Sequence, residues 1–372
     1  MKKILAATLS IGMALLAACG GERAGEQTDT VAEAKTFTWK LVTSWPKNYP
    51  GLGTGPEKFA DMVEAMSDGR LKVRVYGAGE MVPALEVFDA VSQGTVEMGH
   101  GSAYYWKGKI PAAPFFTTVP FGLNAQEMNA WLNYGGGLEL WREAYEPFNL
   151  IPFPGGNTGV QMAGWFNKKI ETMEDIEGLS VRIPGLGGEI ITRAGGQSVT
   201  IPGGEIYTAM QTNLVDATEW VSPYNDQALG LHQVGDYYYY PGWHEPGPTL
   251  EFIVNEAAYN RLPDDLKAMV RVAAQAINQD MLNEYTARNM TAMEELVEKH
   301  GVDVRPLPDE VIAGLRDVTE QVLAELAEKD PLTKRVYESQ MAFKEKAMAY
   351  HAITEEAFYD ARRPEPESGY GE

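Results

Sequence analysis

Three short segments carry the residues best equipped for chemistry. YYYYPGWHEPGP, residues 237–248, sets His244 beside Glu245 behind four consecutive tyrosines. An imidazole next to a carboxylate is the pairing of general acid–base catalysis. In an extended segment, however, consecutive side chains point to opposite sides, which separates the two groups and argues against a shared proton-transfer role. LSVRIPG, residues 179–185, ends an apolar run with Arg182. A guanidinium there is badly placed for solvation. It either closes a structural salt bridge or offers its planar fork of donors to a carboxylate. VDATEW, residues 215–220, puts Glu219 at the end of a similar run, where it can pair with Arg182. Asn157, Gln161, Tyr104 and Tyr105 add polar and aromatic groups from loops.

Other enzyme signatures are missing. The chain has no HExxH, GxSxG, P-loop or CxxC, and the fragments GLGTG and GLGG lack the strand-to-helix context of a nucleotide fold. The histidines, at positions 100, 232, 244, 300 and 351, fall at no metal-ligand spacing. His300 and His351 read as solvated positions on helix surfaces.

The elements that must position these groups alternate. FTWKLVTSW (37–45) and LKVRVYGAG (71–79) predict strands, PEKFADMVEAMSDG (56–69) and PALEVFDAVSQG (83–94) helices closed by glycine. TVEMGHGSAYYW (95–106) predicts a short strand entering an aromatic loop. The alternation resumes with strands at 162–167, 179–184, 198–202 and 215–220 and helices at 188–196 and 205–213. Such a succession predicts a parallel sheet in an α/β fold, with ligands at the carboxyl ends of strands. Residues 264–299 carry an apolar stripe that, unbroken, makes a helix about 50 Å long, more than one small domain needs. Two further amphipathic helices are predicted at about 309–328 and 331–360. The tail PEPESGYGE reads as disordered.

The chain has 372 residues, enough for two domains, with 44% hydrophobic and 22% charged residues. A formal charge of −21 excludes nucleic-acid binding through a basic surface and requires a local cationic group for any anionic ligand. The amino terminus, MKKILAATLSIGMALLAACG, has two lysines before an apolar run, the pattern of a secretory leader. It ends in Leu16-Ala17-Ala18-Cys19, which resembles a bacterial lipobox, so Cys19 is the candidate lipidation site. As the only cysteine it forms no intramolecular disulfide. Residues 1–18 are thus the expected lipoprotein signal peptide and 19–36 a polar tether, which would hold the protein outside the cytoplasm at a membrane surface.

VRIPGLGGE, TIPGGEIYTAMQ, VDATEWVSPYND, YYYYPGWHEPG and GNTGVQMAGWFNKK together resemble the extracytoplasmic solute-binding proteins of tripartite ATP-independent periplasmic (TRAP) transporters. The branch it is most similar to binds 2-oxo acids and related monocarboxylates such as lactate and pyruvate. The resemblance runs from about Phe37 to at least Leu307. It implies a two-lobed α/β clamshell of the periplasmic binding-protein type, with a long lobe-spanning helix and extra carboxy-terminal helices. Residues 37–158 and 247–290 would form the first lobe and 159–246 and 291–330 the second. Residues 331–360 would be a dimerisation helix and 361–372 the tail. It also implies a substrate set of Tyr104, Tyr105, Asn157, Arg182 and Glu245, with Arg182 on the carboxylate. A bridging Na⁺ or Ca²⁺ would be held by Gln161, Glu219, the Trp220 carbonyl and, as a further ligand or substrate contact, Glu245. Oxygen donors of this kind suit a hard cation. The implied partners are a small carboxylate, the membrane permease subunits, a second copy of the chain and the membrane through its lipid anchor. An extracytoplasmic hydrolase built on His244, Glu245 and Glu219, or a structural lipoprotein, are the alternatives. Native mass spectrometry separates the three readings.

Overall fold

The structure, a computed structural model, describes residues 35–363. The leader, Cys19, nearly all of the tether and the tail from residue 364 lie outside the described residues. Among the described residues no helix is long and apolar enough to cross a membrane.

Among the described residues, eleven strands form two sheets. β1 (Phe37–Thr43), β2 (Leu71–Tyr76), β3 (Met98–Gly101), β4 (Leu150–Asn157) and β10 (Thr249–Asn255) make the first, in the order β2-β1-β3-β10-β4. The second runs β11-β9-β5-β8-β6-β7. Its strands are β5 (Gly164–Phe166), β6 (Ser180–Arg182), β7 (Gln197–Val199), β8 (Ala217–Thr218), β9 (Tyr237–Tyr240) and β11 (Asp303–Pro306). The expected parallel pairing holds locally: β1 pairs parallel with β2 and β3, and β6 with β7 and β8. The expectation of an all-parallel sheet does not hold. β10 runs antiparallel to β3 and β4, and β5 antiparallel to β8 and β9. The chain leaves the first sheet after β4 and re-enters it at β10. A strand arriving from the other lobe is not bound by the crossover geometry that makes consecutive strands parallel. The result is two mixed α/β lobes joined by exchanged strands.

The helix Asp264–Glu298 joins the lobes and is called the spanning helix below. It starts behind Pro263 with Asp264 and Asp265 in its first turn, where negative charge meets the positive end of the helix dipole. Leu266, Val270, Ala273, Ala274 and Ile277 pack into the core under the first sheet with Phe59, Val63 and Phe252. Met281, Tyr285 and Leu296 join Trp165, Ile206 and Tyr238 of the second lobe.

The carboxy-terminal region differs from expectation in three respects. Residues 331–360 form two helices, Pro331–His351 and Glu355–Arg362, so helix replaces the expected start of the tail at 361. The first of them is embedded in its own chain. Thr333, Val336 and Gln340 are buried, Gln340 Nε2 donates to the Phe115 carbonyl at 2.8 Å, and Trp131 Nε1 donates to Ser339 Oγ at 3.1 Å. His351 is not solvated: it is buried against Glu127, with Nδ1 2.8 Å from Oε1, because the helix lies across the helix Ala125–Tyr134.

Candidate functional site

The two short central strands of the second sheet bring the first pair of groups together. β6 and β8 run side by side with Arg182 opposite Thr218, and the Glu219 amide donates to the Arg182 carbonyl at 3.2 Å. The side chains of Arg182 and Glu219 therefore emerge next to each other, each 1% exposed. Arg182 is held by an Nε bond to the Ile201 carbonyl (3.1 Å), an Nη1 bond to the Glu219 carbonyl (3.0 Å) and an ion pair from Nη1 to Glu219 Oε1. Its guanidinium carbon sits 5.3 Å from the centroid of the Trp220 ring. One corner of the fork is left over. Nη2 is buried with no hydrogen-bond partner among the described residues.

The segment 237–248 brings in the second pair. β9 ends at Tyr240, and the chain then turns, with the Glu245 amide bonded to the Gly242 carbonyl at 3.2 Å. Gly242 donates to the Gln161 carbonyl at 2.9 Å, and Gln161 N to the Glu245 carbonyl at 3.1 Å. A Cβ at Gly242 would lie 2.2 Å from the Gln161 carbonyl oxygen, so this crossing of two backbones requires glycine. The turn corrects the inference that His244 and Glu245 face apart. Alternation holds for a strand, and this segment is none. His244 Nε2 reaches Glu219 Oε2 at 3.4 Å, and one ligand atom from each of Glu219, His244 and Glu245 lies within 4.8 Å of the others. His244 is the member of the cluster that sequence reasoning set aside. The signal was present in the flanking Pro-Gly and Pro-Gly pairs, which break an extended run.

The remaining candidates divide. Tyr104 and Gln161 make side-chain polar contacts with the Glu245 carboxyl. Tyr104 and Tyr105 touch edge to face with centroids 4.8 Å apart, Tyr105 lies 6.2 Å from Trp45, and Trp45 6.3 Å from Trp220. These rings wall the cluster. The indole of Trp220 is fixed by a 2.9 Å bond from Nε1 to Tyr49 Oη. Asn157 is buried but engaged: its Nδ2 donates to the Gly247 carbonyl (3.0 Å) and Thr249 Oγ1 (3.2 Å), and its Oδ1 accepts from Gly159 N (2.9 Å). It ties the outgoing and returning strands at the crossover.

Burial sets the electrostatics. The Glu245 carboxyl is pushed well above the usual carboxylate range by desolvation and by the neighbouring Glu219, with Arg182 drawing it partway back. Burial also raises the Tyr105 phenol, to about 12. The two carboxylates share one guanidinium, so a further positive charge is what the cluster lacks. Beside the Glu245 carboxyl, Gln161 Oε1 is buried with no hydrogen-bond partner among the described residues, while Gln161 Nε2 donates to Thr158 Oγ1 at 3.1 Å. A carbonyl-type oxygen and two carboxylates are the donor set of a hard cation such as Na⁺ or Ca²⁺, and they leave coordination positions for a ligand's oxygens. The residues fit such an ion. The spare Arg182 donor beside them fits a carboxylate.

Residues 41–330 match the family described as DctP, bacterial extracellular solute-binding protein, family 7. A monocarboxylate 2-oxoacid-binding periplasmic protein of Nostoc sp. (strain PCC 7120) is 46% identical over 319 residues, 85% of this chain and 86% of that protein. A TRAP periplasmic solute binding protein from Pseudoalteromonas atlantica T6c, crystallised with bound sodium and pyruvate, is similar with a TM-score of 0.86 and 42% identity, over 88% of this chain and 100% of that one. Another, from Colwellia psychrerythraea with bound calcium and pyruvate, has a TM-score of 0.86 and 41% identity, over 88% and 100%.

Proposed function

Since the chain belongs to the family 7 extracellular solute-binding proteins, which serve TRAP transporters, we propose that its buried cluster captures a small 2-oxo or 2-hydroxy monocarboxylate such as pyruvate or lactate. Arg182 holds the carboxylate through Nη2. A Na⁺ or Ca²⁺ ion, held by Glu219, Glu245, Gln161 Oε1 and the Trp220 carbonyl, takes the remaining ligand oxygens. Tyr104 and Tyr105 close over the acid. Asn157 acts on the substrate through the crossover it secures. The observation that carries this reading is the pair of unused buried polar atoms, Arg182 Nη2 and Gln161 Oε1, beside two carboxylates. One donor and one acceptor left over in a dry site call for a ligand that supplies both complements.

The captured acid passes to the membrane permease. Capture needs no bond to be broken, and the chain is read as a transport component, not an enzyme. Cys19 anchors the protein by lipid outside the cytoplasm, and a second copy docks on the exposed end of the terminal helices.

The test is titration of an unfolded and refolded, ligand-free sample with pyruvate and lactate, with and without chelator, in Na⁺-free and Na⁺-containing buffer. Chelator sensitivity identifies Ca²⁺, and Na⁺ dependence without it identifies Na⁺. Equal affinities in every buffer, from a sample shown to be metal-free, would leave Glu219 as a plain partner of Arg182 and refute the bridging ion. Turnover of the acid in a native mass spectrum would overturn the binding reading in favour of a hydrolase.

A further inference from the structure

We propose that Lys107 latches the two lobes shut over the ligand and thereby sets how long it stays bound; this rests on the capture reading above. Lys107 caps the single 3₁₀ turn Ala103–Trp106 that follows β3 in the first lobe. Its Nζ crosses to the helix Gly185–Arg193 of the second lobe, donating to the Gly185 carbonyl at 2.9 Å and to Glu189 Oε2 at 3.2 Å. It does so at the rim of an interlobe groove of about 550 Å³. Leu85, Tyr104 and Tyr105 form one wall of that groove, and Ile183, Ser198 and Thr200 the other.

Both ends of this bridge are wired to the site. In the first lobe, Tyr104 belongs to the same turn as Lys107 and contacts Glu245. In the second, Arg182 stands three residues before Gly185, at the end of the strand that leads into the helix. Between them the Gly185 backbone packs on the Tyr104 side chain. Gly185 has φ +64, and a Cβ there would sit 3.3 Å from Cβ and Cγ of Tyr104. A carboxylate seated on Arg182 against the Tyr104 wall therefore lies behind the bridge that Lys107 makes to Gly185 and Glu189.

The chemistry suits a contact that must also open. A lysine at a helix amino terminus gains nothing from the helix dipole, which favours cations at the other end, so the bridge depends on Gly185 and Glu189. The Lys107 and Glu189 side chains are 39% and 36% exposed, and water can replace each for the other. Glu189 also keeps a partner when Lys107 leaves. Arg193 Nη2 lies 3.6 Å from Glu189 Oε1 and is itself forked onto Glu325 at 2.7 and 2.5 Å. Opening strands no charge. The contact of Tyr49 Oη with the Asn225 carbonyl (2.6 Å) is different in kind: buried, neutral and tied through Tyr285 to the spanning helix.

The experiment compares the full chain with Lys107→Met and Lys107→Arg. Stopped-flow fluorescence with pyruvate and Ca²⁺ should show release accelerated roughly two- to fivefold in Lys107→Met, with association changed by clearly less, as expected for an exposed bridge made only after encounter. Lys107→Arg should restore most of the slow release. Unchanged release in Lys107→Met would overturn the latch. Spin labels at Tyr134→Cys and Leu214→Cys, in a Cys19→Ser background, give a second readout that needs no ligand. Lys107→Met should populate longer interlobe distances, and distributions identical to the parent would again overturn the proposal. A parent that binds no 2-oxo acid refutes the ligand reading alone, since the label distances still judge the latch.

Discussion

At the scale of single residues, the proposed site is a buried charge arrangement in which Arg182 Nη2 and Gln161 Oε1 find no hydrogen-bond partner among the described residues. Arg182 and Glu219 neutralise each other with almost no exposure, while desolvation and Glu219 hold the Glu245 carboxyl beside them above the usual carboxylate range. Arg182→Ala should weaken pyruvate binding by about 2–5 kcal/mol, or roughly 30- to 4,000-fold, because a charge-assisted contact is lost from a dry cleft. It should also lower the stability of the ligand-free protein by about 3–5 kcal/mol, since Glu219 is left buried without its partner. Calorimetry and urea denaturation read the two effects separately, and near-normal affinity in a folded variant would refute the role given to Arg182. Arg182→Lys should rescue little, for an ammonium cannot reproduce the fork. Glu219→Gln should act through the ion. If acid and cation bind with a coupling of about 1–3 kcal/mol, the parent tightens on the acid roughly 5- to 150-fold when the cation is added, and the variant loses that response. A variant with the full response would show that Glu219 is no ligand.

At the scale of elements, the terminal helices do two jobs. The first half of Pro331–His351 is core: Val336 and Gln340 are buried, and the preceding helix Asp309–Ala327 packs on both it and Gly185–Arg193. Cutting the chain at residue 331 should therefore destabilise the protein rather than release clean monomers. Beyond it, Tyr350, Ile353 and Phe358 are 61%, 76% and 60% exposed, an apolar face along the helices and the turn between them that the other described residues do not cover. An uncovered face of this kind is where the proposed second copy would dock. Ile353→Asp combined with Phe358→Asp should convert a dimer to monomers in sedimentation velocity and leave pyruvate binding unchanged. Unaltered sedimentation would show that this face carries no dimer.

At the scale of the whole molecule, buried ionisable groups outside the site tie stability to pH. Burial raises Glu251, bonded by Trp106 and Tyr145, from 4.5 to about 7, and Asp226, bonded by Tyr238, Val221 and Trp165, from 3.8 to about 7. Each folded carboxyl holds its proton where the unfolded one has lost it, so each contributes stability that is present at low pH and lost as pH rises towards 7. His100, buried between Trp45 and the Gly155 carbonyl, is lowered from 6.5 to about 4 and works in the opposite direction. Between about pH 4.5 and 6.5 the two carboxyls outweigh the one imidazole. These three groups together hold a net excess of one proton in the folded state and contribute a fall in stability of about 1.4 kcal/mol per pH unit as pH rises, and the raised Glu245 carboxyl acts in the same direction. Thermal melting of the ligand-free protein should thus show a higher midpoint near pH 5 than near pH 7. Glu251→Gln, whose amide can accept from Trp106 and donate to Tyr145, should flatten that slope. A slope unchanged in the variant would remove Glu251 from the account.

What the sequence determined by itself was local or chemical. Period-two and 3.6-residue patterns depend on neighbours a few positions apart, so the strand at Leu71–Tyr76 and the long helix from Asp264 were legible. So was the α/β alternation. Arg182 stood out because a guanidinium ending an apolar strand must find a buried partner, whatever the fold. What only the tertiary structure decided rests on contacts between distant segments. The antiparallel insertion of β10 between β3 and β4 follows from the chain returning through the other lobe, which no local pattern records. His351 reads as a surface residue until the helix Ala125–Tyr134 brings Glu127 onto it. His244 and Glu245 face the same cluster because Gly242 lets two backbones cross at Gln161, and that crossing exists only when β4, β5 and β9 have already met.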